Sequence, residues 1–145
     1  MLEQIQPIIM DGYKPNKYLL AWLEAHFAAR WKRASEIVNH SHTDALAVAR
    51  NNICYWFLDH TKYNYLLMLD TDMIPTLDTQ PILTHKAEIV ACEYIQKRGV
   101  IGHSEPDEVA CGCLRISRRA LELIKPPWFK SVMSPSGMTC ICECA

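Results

Sequence analysis

The segment Tyr65-Leu66-Leu67-Met68-Leu69 is apolar without interruption, and two carboxylates follow it at once, Asp70 and Asp72. Five such residues in a row suit a central strand buried on both faces. Upstream, residues 5–10 make a short apolar run broken by Pro7, which predicts a first or edge strand. Asp11-Gly12 and Lys14-Pro15-Asn16 mark a turn, and Asn16 has the side chain to cap a helix over residues 17–33. Leu19, Leu20, Leu23, Phe27 and Trp31 fall on one stripe of that helix. Glu36-Ile37-Val38 predicts a short strand, with the polar loop His40-Ser41-His42 behind it. Thr43 or Asp44 caps a second helix over residues 45–59. Its apolar side carries Ala45, Val48, Ala49, Asn52, Ile53 and Trp56, and Arg50 sits near its middle.

After Asp72, Met73-Ile74-Pro75-Thr76 leaves the strand as a loop. Residues 79–84 predict a short helix with Pro81 in the first turn. Strands are expected at 88–94 and 109–116, with a polar loop at 96–106 between them. A helix over 118–124 is stopped by Pro126-Pro127. Strands thus alternate with helices, which predicts an α/β fold with a mainly parallel sheet flanked by helices. No linker, repeat or low-complexity tract divides residues 1–145, so one domain is expected. The last residues, 134–145, form a Cys-rich, strand-like run that stops abruptly, as a truncated form of a larger fold would.

Composition narrows the function classes. Half of the 145 residues are hydrophobic and 21% are charged, a balance that folds and buries a core. Lys+Arg 15 against Asp+Glu 16 leaves a formal net charge of -1, so no basic surface argues for nucleic acid. The small basic patches Lys97-Arg98 and Arg118-Arg119 read as solvated surface. Charges interrupt the apolar stretches, so no transmembrane segment is expected, and the start Met1-Leu2-Glu3-Gln4 has no signal-peptide pattern. The expected location is cytoplasmic. The seven cysteines are then expected as thiols. Cys111/Cys113 and Cys140/Cys142/Cys144 alternate as strand positions do and lack the spacing of zinc knuckles.

Asp70 and Asp72 are the strongest chemical candidates. Ligands of open α/β sheets bind beyond the carboxyl ends of the strands, where this pair is placed. Residues i and i+2 on an extended segment point the same way, and two close carboxylates repel unless a cation or proton intervenes. Hard oxygen ligands suit Mg²⁺ or Mn²⁺, ions that commonly bridge to substrate phosphates.

Ala49-Arg50-Asn51-Asn52, a helix, then Leu66-Leu67-Met68-Leu69-Asp70-Thr71-Asp72-Met73-Ile74-Pro75 resembles glycosyltransferases of the GT-A fold, closest to family-2-like and phage-type enzymes. Ile89-Val90-Ala91-Cys92-Glu93-Tyr94 is similar to that family's next strand. Residues 110–119 are similar to its small-residue strand and following helix, and Pro127-Trp128-Phe129 to its aromatic segment. The resemblance implies a Rossmann-like GT-A fold and a metal-dependent sugar transfer from a nucleoside-diphosphate-sugar donor to a glycan or other hydroxyl acceptor. It implies a divalent ion, Mn²⁺ or Mg²⁺, held by Asp70 and Asp72. Asp72 would be the direct ligand, and Asp70 would reach the ion through water or contact the donor's ribose. Arg50 and Asn51 would contact the donor, or Asn51 would fix the helix to the loop.

The pattern departs from the family near its end. The acidic pair that supplies a general base is matched only by Cys142-Glu143-Cys144, which makes Glu143 the candidate catalytic base. No later metal-binding His follows Phe129. Glu93 at its strand end could face the site. Glu105, Asp107 and Glu108 read as a solvated acidic loop or the acceptor side, His40 and His42 as a polar loop or ion ligands, and His103 as a loop residue or substrate contact, with the loop readings favoured. Trp128 and Phe129 fit either a sugar-stacking platform or core packing, with core favoured for at least one. Two other readings stay open. One is a non-catalytic nucleotide-sugar-binding module, which the abrupt C-terminus supports. The other is a haloacid-dehalogenase-type phosphatase, whose Asp-x-Asp motif also follows a hydrophobic strand. An open sheet edge also leaves room for a homo-oligomer.

Overall fold

The computed structural model describes residues 1–10, 14–38, 46–92, 94–95, 101–102, 112–134 and 137–142. A five-stranded sheet organises them, built from β1 (Ile5–Ile9), β2 (Lys32–Arg33), β3 (Tyr65–Leu69), β4 (Ile89–Ala91) and β7 (Cys113–Ser117). Its order is β2-β1-β3-β7-β4. Two short hairpins stand apart from it: β5 (Tyr94–Ile95) with β6 (Ile101–Gly102), and β8 (Phe129–Ser134) with β9 (Gly137–Cys142).

The sheet is mixed: β2, β1, β3 and β4 share one direction, and β7 alone runs against them. β1 runs parallel to β2 and β3, whereas β7 is antiparallel to both β3 and β4. Parallel neighbours need a crossover connection, usually a helix. Such helices precede β2 and β3.

Alternation along the strands builds a core on each face. Ile8, Met10, Leu66, Met68, Leu114 and Ile116 face one side, packed by α2 (Ala34–Ile37), α3 (Leu46–His60) and α5 (Arg118–Leu123). Ile5, Ile9, Leu67, Leu69 and Cys113 face the other, packed by α1 (Lys17–Phe27) and α4 (Pro81–Thr84). β3 is buried on both faces, as its unbroken apolar run requires.

β1 is interior, with Pro7 inside it. β2 meets β1 only at Ile8 and Ile9, so Pro7 lies just outside that ladder. There the buried Gln6 side chain takes the place of a strand, donating from Nε2 to the carbonyls of Pro7 (3.1 Å) and Arg30 (2.8 Å). The strand's edge-like composition thus reflects the short reach of β2.

Other elements differ from their sequence expectations. The first helix ends at Phe27, because Ala28 adopts a positive φ of 52°, and Lys32–Arg33 then pairs with β1. The strand expected at Glu36-Ile37-Val38 is instead helix α2, where Glu36 reaches back to the Arg33 amide. The helix expected at 79–84 is a 3-10 turn, Leu77–Thr79, followed by α4 with Pro81 at its start. The strand expected at 88–94 is split into β4 and β5, and the one expected at 109–116 is described from Cys113. The buried side of α3 carries Ala47, Ala49, Arg50, Ile53, Cys54 and Phe57. Val48 and Asn52, placed on that side by sequence, are exposed. The stripe is rotated because a charged side chain, Arg50, belongs to the buried face.

Arg118, read from sequence as part of a solvated patch, is a C-cap for α3. Its guanidinium donates to the carbonyls of Phe57 (3.2 Å), Leu58 (3.3 Å), Thr61 (2.7 Å) and Tyr63 (2.9 Å). A cation at a helix C-terminus satisfies carbonyls that no further turn can reach. Its neighbour Arg119 is exposed and pairs with Glu88 at 3.6 Å.

Candidate functional site

The carboxyl ends of β1 and β3 lie together, since the Met10 amide donates to the Leu69 carbonyl at 2.8 Å. Asp70 follows immediately, and its own amide donates to the Gly112 carbonyl (3.0 Å), which carries the β3–β7 ladder one residue further. The chain then turns, closed by the Met73 amide on the Asp70 carbonyl at 3.2 Å. Asp70 and Asp72 are therefore positions one and three of a tight turn. The extended geometry expected from their spacing, with both carboxylates on one strand face, is not the observed one. Asp70 is one-third exposed at its side chain, and Asp72 is exposed.

Asn16 holds this turn from outside. Its side-chain oxygen caps α1 by accepting from the Tyr18 (3.0 Å) and Leu19 (2.9 Å) amides. Its Nδ2 donates to the carbonyls of Thr71 and Met73, both at 2.9 Å. One side chain therefore starts a helix and fixes the Asp70–Asp72 turn. Sequence reasoning found the cap and missed the second role, because a contact across more than fifty residues leaves no local pattern.

Arg50 comes to the same place from α3. Its guanidinium is buried, with Nη2 3.6 Å from Asp70 Oδ1 and its carbon 6.0 Å from the centre of the Phe129 ring. Sequence placed Arg50 and Asp70 at one site, and the fold brings them into contact. Asn51, the next residue, faces the start of β8. Its oxygen accepts from the amides of Trp128 and Phe129, both at 3.0 Å, and its Nδ2 donates to the Phe129 carbonyl at 2.8 Å. That is the helix-to-loop fixing role.

Trp128 and Phe129 are 2% and 1% exposed and belong to the core. The Trp128 indole N–H donates to the Leu121 carbonyl at 3.0 Å, and its ring meets Tyr55 edge-on at 4.8 Å. Of the two roles weighed for them, core packing is the one they perform, and a stacking platform for sugar is not.

Two cysteines flank the site. Cys113 begins β7, and Cys92 follows β4 with its amide on the Cys113 carbonyl at 3.1 Å. Interaction with the Cys113 thiol holds Cys92 below the usual thiol range, while interaction with the Cys92 thiol, burial and the Asp70 charge push Cys113 up.

Glu143, Glu93, Glu105, Asp107, Glu108, His40, His42, His103, Cys111 and Cys144 lie outside the described residues. Among the described residues, no cluster of three or more His, Cys, Asp or Glu side chains is placed to hold a metal ion. Among the described residues, Asp70 and Asp72 are the carboxylates that an ion at this turn would draw on, with water and substrate oxygens. That ligand set suits Mg²⁺, which is commonly bound through one or two carboxylates plus phosphates. A cavity of about 550 Å³ opens elsewhere, between the starts of β1 and β3 and the end of α3. Its walls include Gln6, Lys32, Trp56 and His60, and none of the predicted site residues. No helix among the described residues is long and apolar enough to cross a membrane.

The crystal structure of A197 from STIV is similar to this chain, with a TM-score of 0.68 at 20% sequence identity. The match covers 92% of this chain and 72% of that one, and it is a likeness of fold. No protein-family model and no curated protein matches the chain.

Proposed function

We propose that the chain is a metal-dependent glycosyltransferase of Rossmann-like GT-A type, taking a sugar from a nucleoside-diphosphate-sugar donor to an acceptor hydroxyl. The observation that carries this reading is the Arg50–Asp70 ion pair at the carboxyl end of a buried strand, with Asp72 exposed on the same pinned turn. Ligands of open α/β sheets are bound at such strand ends. The resemblance of residues 49–52 and 66–75 to the family supplies the chemistry.

In this reading Asp72 is the direct ligand of Mn²⁺ or Mg²⁺, because it is the exposed carboxylate of the pair. Asp70, oriented by Arg50, reaches the ion through water or accepts from the donor's ribose. The ion, when bound, neutralises charge on the leaving diphosphate. Arg50 acts through Asp70, and its burial keeps it from being the main phosphate contact. Asn51 acts by seating the root of the β8–β9 hairpin against α3. Asn16 keeps the turn in register with the strand ends. Glu143 carries the general-base role, taking the acceptor hydroxyl's proton.

The test is calorimetric titration of UDP and GDP, with and without Mn²⁺, against the native chain and Asp72→Ala. Metal-dependent binding of one nucleotide, lost in the variant, supports the reading. Absence of binding to a folded native chain overturns it. Binding without release of sugar from any nucleotide-sugar donor assigns the chain as a binding module instead.

A further inference from the structure

β4 and β7 are antiparallel, with Val90 opposite Arg115 and Ala91 opposite Leu114. The same register sets Cys92 opposite Cys113, and the Cys92 amide donates to the Cys113 carbonyl at 3.1 Å. Residues paired through their backbones in this way hold their α-carbons about 5.5 Å apart. That α-carbon separation falls within the roughly 4.4–6.8 Å that disulfides span. Directly opposed side chains share a face, and both sulfurs pack on the side of the sheet covered by α1 and α4. Both are free thiols. Cys113 is fully buried, whereas Cys92 is only partly so.

We propose that Cys92 and Cys113 are a redox modification site, closing a reversible cross-strand disulfide between the end of β4 and the start of β7, beside Asp70. The asymmetry of exposure sets the order of events. The Cys92 thiolate attacks a low-molecular-weight disulfide such as glutathione disulfide, forming a mixed disulfide and releasing one thiol. The Cys113 sulfur then attacks Cys92, the mixed bond breaks, and a second thiol leaves with the remaining proton. Two protein thiols are oxidised to one disulfide, and one glutathione disulfide is reduced to two glutathiones. The Asp70 amide is bonded to the Gly112 carbonyl, so the staple forms one residue from the backbone that holds Asp70. The site stands whether or not the chain transfers sugar.

The experiment treats the full native chain with glutathione disulfide, alkylates remaining thiols, and maps tryptic peptides by mass. Cys92 is the sole cysteine of peptide 87–97, and Cys113 shares peptide 99–115 with Cys111. The expected product is these two peptides joined, two hydrogens lighter than their sum, and separated again by dithiothreitol. Fragment ions place the bond on Cys113. The joined pair persists in Cys111→Ser and is lost in Cys113→Ser. Full alkylation of Cys92 after oxidation of the folded chain overturns the proposal. So does a bond whose fragment ions run to Cys111, or one that survives in Cys113→Ser. The fragment assignment in the native chain decides the matter even if Cys113→Ser fails to fold.

Discussion

Arg50 and Asp70 meet 3.6 Å apart at the end of β3, with the guanidinium side chain 4% exposed and the carboxylate 33% exposed. An ion pair open on one side and closed on the other has unequal halves. Loss of the carboxylate removes a counter-charge from a buried cation, whereas loss of the cation leaves a carboxylate that water still reaches. Asp70→Asn is therefore expected to lower unfolding stability by about 2 kcal/mol, below the 3–5 kcal/mol of a fully buried pair because water screens Asp70. The double variant Arg50→Met/Asp70→Asn is expected to be more stable than Asp70→Asn alone. Urea unfolding of the four proteins in the cycle measures this. Independent, additive effects would show that the two groups are not coupled.

Asn51 makes three hydrogen bonds to the backbone of Trp128 and Phe129, two by accepting and one by donating. Asn51→Asp keeps the two acceptances and removes the donation, placing a carboxylate oxygen against the Phe129 carbonyl. A loss of about 1–2 kcal/mol is expected, and about 2–3 kcal/mol for Asn51→Ala, where all three go. Tryptophan fluorescence during unfolding follows the change. If Asn51→Ala instead leaves stability unaltered and weakens only nucleotide binding, the residue's role is at the donor.

Arg115 is fully buried in the middle of β7, on the face opposite Leu114 and Ile116, a place that sequence alternation alone reads as solvent-facing. It donates to the carbonyls of Ile82 (2.8 Å), His85 and Ala87 (3.0 Å), and its guanidinium lies over Tyr65 at 4.6 Å. The segment between α4 and β4 is thereby latched onto the sheet. Burial pulls the Arg115 pKa down from its ordinary value. Arg115→Met fills much of the volume but leaves three carbonyls without their donor. A loss of about 3 kcal/mol or more is expected, with the 82–87 amides losing protection in hydrogen exchange before the rest of the sheet. Uniform loss of protection across the sheet would show that Arg115 supports the whole core and not this latch.

Period and punctuation made much of this legible. The apolar run 65–69 gave β3, the Asn16 cap gave the start of α1, and Pro81 gave the start of α4. What stayed hidden was set by contacts between distant residues. The direction of β7 depends on how the chain returns from β4, which no local pattern encodes. The burial of Arg50 was hidden because its partner Asp70 lies beyond the end of another element, β3. Asp-x-Asp spacing could not tell a strand end from a tight turn, since the closing bond between Met73 and Asp70 is backbone to backbone. The Cys92–Cys113 pairing was hidden for the same reason, being a matter of register between β4 and β7.

Asn16 separates helix capping from site geometry, because two ends of one amide perform them. Its oxygen accepts from α1, and its nitrogen donates to the Thr71 and Met73 carbonyls. Serine is as good a cap as asparagine, but its short hydroxyl cannot also reach two carbonyls of the next segment. Asn16→Ser is thus expected to retain α1, with a stability loss of about 1 kcal/mol from the missing donations. The Asp70–Asp72 turn loses its outside hold, so Mn²⁺-dependent nucleotide affinity is expected to fall about tenfold, equivalent to about 1.4 kcal/mol. Circular dichroism with denaturant measures the first effect and calorimetric titration the second. Equal nucleotide affinity in Asn16→Ser and the native chain would mean that the turn holds its shape without Asn16, and would remove this residue from the site.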